Sequence, residues 1–204
     1  MNRKMKCFRT FFLTGVCCIS LLSGCTSEKK PSSIEQTEQT EEADQTNQAD
    51  QAAENLGCFS MEDIEGETYT QEMFADYDLT MINVFATWCT PCINEIPDLE
   101  QLRGDMADQG VNVVGIVLDA VDYSGGTDDS AIENAKILAE QTGATYPFLV
   151  PDQGLLNGRL AGIAAVPETF FVDKEGNVVG ETYTGSRSLE EWKSVVEETL
   201  KEVE

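Results

Sequence analysis

Apolar residues between positions 79 and 118 fall into two runs separated by a helical stripe. Residues 79–86 form a nearly continuous apolar run, and residues 111–118 form a second run that is rich in β-branched side chains. Both are typical of strands covered on both faces. Between them, apolar side chains recur at spacings of three and four, which predicts a helix that Pro97 should kink. The predicted buried face of this helix comprises Ile96, Leu99, Leu102 and Met106.

The remaining pattern continues the alternation of strands and helices, which predicts an α/β fold. Ser188 and Glu191 have the spacing of a capping box and open a last helix, with Trp192 on its buried stripe. Residues 57–69 alternate loosely around a turn at Glu65, which predicts a hairpin ahead of the main sheet. The other predicted elements are a polar loop at 119–130, a helix at 131–142, a strand at 146–150, a short helix or loop at 155–163, and strands at 170–172 and 178–183 around a turn at 173–177.

The first residues have the features of an export signal. A basic start precedes an apolar stretch at residues 7–22, which is shorter than the roughly 20 apolar residues that a stable membrane span needs. The stretch ends in Leu-Ser-Gly-Cys at residues 22–25, which resembles a bacterial lipobox. We therefore expect a lipoprotein signal peptide at residues 1–24 and a lipid on Cys25. Simple secretion and an uncleaved anchor are the alternatives.

Residues 25–55 are expected to be a lipidated cysteine followed by a disordered acidic tether. Glu, Gln, Thr, Ala and Asp dominate this tract, and Ile34 is its only large aliphatic residue. Such a segment cannot bury enough apolar area to offset the entropy lost on ordering. As a flexible coil it would have a reach of roughly 30 Å. The folded domain is then expected at residues 56–204.

Composition narrows the chemistry that this chain can perform. With 13 basic and 37 acidic residues the net charge is −24, which repels phosphate backbones and excludes nucleic-acid binding. The chain has no histidine, so mechanisms that need an imidazole are excluded. Three of the seven cysteines would leave with the signal peptide and Cys25 would carry lipid, so that Cys58, Cys89 and Cys92 remain. Cys58 lies in the first predicted strand, where we expect a small buried hydrophobic residue.

Cys89 and Cys92 form a Cys-x-x-Cys pair at the start of the predicted helix. Free N–H groups and the positive helix end favour the thiolate of Cys89, which would attack a substrate disulfide, while Cys92 would resolve the mixed disulfide. A structural disulfide and half of a zinc site are the alternatives. Zinc would need two further ligands, and only Cys58 is left over. We therefore expect no metal and no cofactor beyond the redox pair.

The motifs around this pair are Trp88-Cys89-Thr90-Pro91-Cys92, Glu95 with Pro97, Val166-Pro167-Glu168-Thr169, and the turn at residues 173–177. Together they resemble the thioredoxin superfamily and, within it, the TlpA/ResA-like extracytoplasmic thiol-disulfide oxidoreductases. The resemblance covers residues 57–203. It implies a thioredoxin-like α/β fold, in which a central mixed β-sheet is flanked by helices and preceded by an N-terminal β-hairpin extension.

The resemblance also implies roles for individual residues. Pro167 matches the cis-proline opposite the redox pair, and Val166 would offer its backbone to an extended substrate strand. Glu95 matches an acid near the cysteines that could shift thiol pKa values or relay a proton, with a solvated helix residue as the alternative. Asn83 replaces the buried aspartate of thioredoxins and cannot titrate. The residues implied to contact substrate are Trp88, Thr90, Pro91, Val166 and Pro167.

The function that the resemblance implies is enzymatic reduction of disulfides in oxidised proteins outside the cytoplasm. A membrane thiol carrier would supply electrons, and the protein would act as a monomer held at the cell membrane by its lipid. Cytochrome c maturation and the re-reduction of an extracytoplasmic reductase are examples of such a role.

Three other functions remain as alternatives. A net oxidant would differ in its reduction potential, which is near about −270 mV for thioredoxin and about −120 mV for a strong oxidant. A peroxidase is disfavoured, because such enzymes carry Thr or Ser three residues before the reactive cysteine, where Ala86 precedes Cys89. A non-catalytic, partner-binding lipoprotein would keep the fold but fail to reduce insulin.

We predict that Cys25→Ala releases or mislocalises the protein, because the polar tract after residue 25 has no apolar surface to hold it at a membrane. The measurement is fractionation of cells expressing the wild type and the variant. A variant that stays in the membrane fraction with unmodified mobility would contradict lipidation at Cys25.

Overall fold

The computed structural model describes residues 55–122 and 124–203 of the chain. In this part the chain forms a mixed α/β structure of short strands and four α-helices. The strands are β1 (Ser60–Glu62), β2 (Thr68–Thr70), β3 (Leu79–Phe85), β4 (Val111–Val117), β5 (Phe148–Leu149), β6 (Glu168–Asp173) and β7 (Val178–Thr184). The helices are α1 (Thr90–Met106), α2 (Asp129–Thr142), α3 (Gln153–Asn157) and α4 (Leu189–Val203).

The central sheet has the strand order β5-β4-β3-β6-β7. Strands β3, β4 and β5 run parallel, whereas β6 is antiparallel to both β3 and β7. This is the predicted mixed sheet, and β3 is its central strand. The register places Asn83 of β3 between Gly115 of β4 and Thr169 of β6. A polar residue at the centre of the sheet therefore has a polar neighbour on one side.

Side chains alternate between the two faces of the sheet, and each face has its own apolar core. Met81 and Phe85 of β3 pack in the core that holds residues of α1, α2 and α4. Ile82 and Val84 pack in the second core, which holds residues of the hairpin and α3. Asn83 shares the face of Met81 and Phe85, which is the face that α1 covers.

The predicted N-terminal hairpin is confirmed, since β1 and β2 pair in antiparallel register. The residues after β1 continue along the edge of the central sheet. Ile64 N–H donates to the carbonyl of Phe148 at 2.9 Å, and Val150 N–H donates to the carbonyl of Glu62 at 2.8 Å. The hairpin thereby covers the edge that β5 would otherwise leave open.

The beginning of the described chain is held at the turn between β6 and β7. Leu56 N–H donates to the carbonyl of Gly176 at 2.9 Å, and Asn55 forms an isolated β-bridge with Asn177. This turn is the end of β6 opposite to Pro167. The polypeptide therefore enters the domain at the end of the sheet remote from the Cys-x-x-Cys pair.

The structure differs from the sequence-based expectations ahead of β1 and at the start of α4. Cys58 was expected to be buried in the first strand, but it is exposed and lies ahead of β1. Helix α1 continues past Pro97 to Met106, and the kink expected there stays a prediction. The capping interaction at α4 is present in altered form, because Ser188 N–H (2.9 Å) and its hydroxyl (2.7 Å) both donate to one oxygen of Glu191.

The predicted signal peptide, Cys25 and nearly all of the predicted tether lie outside the described residues. Within residues 55–122 and 124–203, no helix has both the length and the apolar character that a membrane crossing requires.

We predict that Gly115→Ala lowers the free energy of unfolding by about 1–3 kcal/mol, the usual effect of overpacking a core. A Cβ at Gly115 would lie 2.8 Å from Phe148 and 3.1 Å from Phe85, whose rings already pack edge to face. Urea denaturation measures the change. Gly104→Ala is the control, because a Cβ there meets no atom within 4 Å and should stabilise α1 by up to about 1 kcal/mol. Equal stability of Gly115→Ala and wild type would contradict the packing described above.

Candidate active site

The redox pair lies at the N-terminus of α1, where β3 has just ended. Cys89 is the N-cap of the helix, and Cys92 in the first turn forms a disulfide with it across a Cα–Cα distance of 5.3 Å. Cys92 N–H points at Cys89 Sγ, 3.3 Å away. Pro91 lies in the first helical turn, where its missing N–H costs no helical hydrogen bond. The helix start thus aims one backbone donor, Cys92 N–H, at the sulfur of Cys89.

The two sulfurs differ in burial, although both are well covered. Cys89 is 5% exposed and Cys92 is 0% exposed. In the disulfide form, Cys89 is therefore the only one of the two with a part that solvent can reach. Its surroundings are open, because Trp88 is 72% exposed and both Thr90 and Pro91 are exposed. An incoming molecule therefore meets exposed side chains around the nearly buried Cys89.

The segment before β6 faces this sulfur. The Val166–Pro167 peptide bond is cis, as the family resemblance implies. The carbonyl oxygen of Val166 lies 3.5 Å from Cys89 Sγ. Residues 161, 162, 164 and 165 before it are exposed. Much of the segment on this side of the disulfide is therefore open to solvent.

Glu95 is buried, contrary to the surface-like position expected from the sequence. Its carboxylate is 2% exposed and accepts three hydrogen bonds. Oε1 accepts from the Arg187 backbone N–H and from Trp192 Nε1–H, both at 2.7 Å. Oε2 accepts from Asn83 Nδ2 at 3.3 Å, and the same nitrogen donates to Thr169 Oγ1 at 3.0 Å. The solvated alternative for Glu95 is therefore wrong.

The environment of Glu95 opposes its ionisation. Burial raises the pKa of this carboxyl above its ordinary value, and the hydrogen bonds from Arg187, Trp192 and Asn83 offset only part of that increase. Asn83 Oδ1 has no hydrogen-bond partner within the described part of the chain. A titratable group thus lies one helical turn beyond Cys92, in a setting where its charge is costly.

A second carboxylate fixes the loop that carries the redox pair. Asp119, just after β4, accepts from Thr87 N–H at 3.0 and 3.1 Å and from the Thr87 hydroxyl at 2.7 Å. Because Thr87 is two residues before Cys89, this contact ties the loop between β3 and α1 to the neighbouring strand. Local sequence patterns do not link positions 32 residues apart, so the sequence does not predict this contact.

An apolar cleft of about 530 Å³ adjoins the disulfide. Trp88 and Val166 belong to its wall, so the cleft begins at the surface that surrounds Cys89. Asp119 and Asp122 contribute carboxylates to the same wall. Its large apolar lining residues are Trp88, Leu118, Val121, Leu156, Leu160 and Ile163.

The model of the AhpC/TSA family matches residues 50–180, which contain the disulfide, the cis-proline and Glu95. The chain belongs to this family. It is 31% identical over 131 residues to the thiol:disulfide interchange protein DsbE of Haemophilus influenzae, covering 64% of this chain and 64% of that protein. It is 25% identical over 134 residues to the thiol-disulfide oxidoreductase ResA of Halalkalibacterium halodurans, covering 66% and 69%.

Among solved structures, a thioredoxin-family thiol:disulfide interchange protein from Chlorobium tepidum superimposes with a TM-score of 0.60. The two are 29% identical, and the match covers 74% of this chain and 99% of that one. The predicted thioredoxin-like fold is thereby confirmed. The prediction of an enzyme of the thiol-disulfide oxidoreductase class is confirmed at the level of the AhpC/TSA family and these relatives.

We predict that Glu95→Gln moves the pH profile of thiol alkylation in the reduced protein to lower pH. The ionised carboxylate disfavours a nearby thiolate, and the variant removes that charge. The two profiles should converge at acid pH, where Glu95 is itself protonated. The measurement is the rate of alkylation by iodoacetamide as a function of pH.

Glu100→Gln is the matched control, because Glu100 is on the same helix and bonds to Arg103 and Thr145. Folding raises the pKa of Glu95, so the wild type should also lose stability relative to Glu95→Gln as the pH rises through the range in which Glu95 ionises. Superimposable alkylation profiles would leave Glu95 without influence on the thiols.

Proposed function

We propose that this protein reduces disulfide bonds in extracytoplasmic proteins by dithiol-disulfide exchange through Cys89 and Cys92. The observation that carries the proposal is the position of Cys89 Sγ between the start of α1 and the backbone of Val166. Cys89 Sγ lies at the N-terminus of α1, 3.3 Å from Cys92 N–H and 3.5 Å from the carbonyl of Val166. The first contact supports a thiolate, and the second marks where a substrate chain would lie.

The reaction begins from the dithiol form. The Cys89 thiolate attacks one sulfur of the substrate disulfide, forming a mixed disulfide and releasing the other substrate sulfur as a thiolate. The Cys92 thiolate then attacks Cys89 Sγ, which forms the Cys89–Cys92 disulfide and frees the second substrate sulfur. Two electrons pass to the substrate, and two protons bind to its thiolates. A dithiol of a membrane carrier would return the pair to its reduced form by the same exchange in reverse.

Geometry supports this division of labour between the two cysteines. Cys89 occupies the cap position next to exposed Trp88, Thr90 and Pro91, whereas Cys92 has no exposed surface. A substrate sulfur can approach only the first of them. Cys92 is held within bonding distance of Cys89 by the first helical turn, so it acts within the molecule and at high effective concentration.

The surface around the disulfide favours a polypeptide as substrate. An extended segment could pair with the backbone at Val166, as strands do when they add to an open edge. Its side chains would then meet Trp88 and the apolar cleft, which a peroxide or another small oxidant would leave unused. Ala86 three residues before Cys89 also lacks the hydroxyl expected of a peroxidase.

The direction of electron flow and the location outside the cytoplasm form the finer part of this proposal. The names of the relatives, interchange protein and oxidoreductase, fit reduction and oxidation alike. Reduction is supported by the resemblance to TlpA/ResA-like proteins. Export and lipidation at Cys25 are supported by the signal-like start of the chain, and they would keep the domain near a membrane-bound electron donor.

We predict that Cys89→Ser abolishes disulfide reduction, because a hydroxyl is not ionised near neutral pH and cannot displace a thiolate. Cys92→Ser should still attack but accumulate as a mixed disulfide, since the resolving sulfur is missing. Non-reducing gels after incubation with oxidised insulin measure the adducts. The double variant is the control and should form none. Adducts with Cys89→Ser alone would reverse the assignment, and full activity of either single variant would place the catalytic centre elsewhere.

A further inference from the structure

Arg159 joins three parts of the fold beneath the loop that faces the disulfide. It lies in the turn after α3, and its side chain is only 12% exposed. Nη1 donates to Glu168 Oε1 at 3.0 Å, and Nη2 donates to Thr182 Oγ1 at 2.9 Å. The guanidinium carbon lies 4.0 Å from the ring centroid of Phe170. One side chain thus bonds to β6, to β7 and to the face of an aromatic ring.

The pair of Arg159 and Glu168 closes the segment that presents Val166. Arg159 immediately precedes residues 160–167, and Glu168 immediately follows them. Several residues of this segment are small and exposed, so packing restrains their backbone little. Pro167 is held from β7, since its carbonyl accepts from Gly185 N–H at 2.8 Å. The ion pair therefore joins the two ends of this partly exposed segment.

The same contact supports one wall of the apolar cleft. Leu156 and Leu160 flank Arg159 in the chain, and both line the cleft. Leu160 also packs in the core on this face of the sheet. If the guanidinium were lost, Glu168 would be left as a poorly solvated carboxylate without its partner, and the wall could move away from β6.

Arg159 lies on the opposite face of the sheet from the groups that tune the thiols. Along β6, Glu168 and Phe170 point to the face of Arg159, whereas Thr169 between them contacts Asn83 on the face of Glu95. The partners of Arg159 named above, Glu168, Thr182 and Phe170, all lie outside the N-terminus of α1. A change at Arg159 should therefore disturb the placement of Val166 while leaving in place the Cys92 N–H that supports the Cys89 thiolate and the hydrogen bonds of Glu95.

We propose that Arg159 is a positioning residue that sets the affinity for polypeptide substrates by holding Val166 and the cleft wall against Cys89. This inference rests on the proposed function, because it concerns the binding of the disulfide-containing chain that Cys89 attacks. The planar guanidinium bonds to two strands at once, which a lysine ammonium on a flexible stem cannot reproduce.

The test compares Arg159→Gln, Arg159→Lys and wild type in the reduction of a disulfide-linked peptide and in alkylation of the reduced protein by iodoacetamide. We expect kcat/KM for the peptide to fall about 10-fold to 100-fold in Arg159→Gln, mainly through KM, as for other misplaced binding groups. Arg159→Lys should fall between this variant and the wild type. Alkylation needs no bound peptide, and its pH profile should stay within about twofold of wild type in both variants.

Arg103→Gln is the matched control, because Arg103 also bonds to a glutamate, Glu100, but on α1 away from the cleft. It should keep the wild-type KM. Glu168→Gln provides a second variant should Arg159→Gln fold poorly, and it should raise KM to a similar extent. The double variant should be no worse than either single one, since both remove the same contact.

An unchanged KM in Arg159→Gln and Glu168→Gln would overturn the inference while leaving the proposed function intact. Equal losses in peptide reduction and in alkylation would overturn it as well, because they would make Arg159 a purely structural residue. A wild-type protein that reduces no peptide disulfide at all would instead refute the proposed function on which the inference rests.

Discussion

A carboxylate that has almost no contact with water must find its hydrogen-bond donors within the protein, and Glu95 finds them on three different elements. Asn83 comes from the central strand, Arg187 from the segment before α4, and Trp192 from α4 itself. The same helix that carries Glu95 carries the redox pair at its start. Satisfying one buried acid therefore fixes α1 against the sheet and the last helix, and with them the position of Cys89.

The period of two along the strands separates two sets of polar contacts in this domain. On one face of the sheet, Asn83, Thr169 and Glu95 form a polar cluster below the N-terminus of α1. On the other face, Arg159 and Glu168 support the segment that leads to Val166. Because neighbouring residues of β6 point to opposite faces, these two sets of polar contacts share no side chain.

The sequence is sufficient to predict what depends on local pattern. The nearly continuous apolar run of β3, the helical stripe of α1 and the hairpin were all predicted, as was the redox pair at the helix start. The cis bond at Pro167 followed from the family resemblance. The sequence does not reveal contacts between distant positions. Glu95 and Trp192 are 97 residues apart, and nothing local marks either as a partner of the other.

Because the sequence does not reveal contacts between distant positions, it also misplaced Cys58 and left a solvated position open for Glu95. Cys58 was placed in a strand because the alternation there is loose, and the strand begins only at Ser60. A solvated position was kept as the alternative for Glu95 because a charged residue on a helix is usually solvated. Its burial results from α4, which packs onto α1 with Trp192 between them.

The point at which Leu56 joins the β6–β7 turn has a practical consequence, because it lies at the end of the sheet remote from the disulfide. If the domain were immobilised on a solid support through the chain that precedes Asn55, its redox end would face the solution.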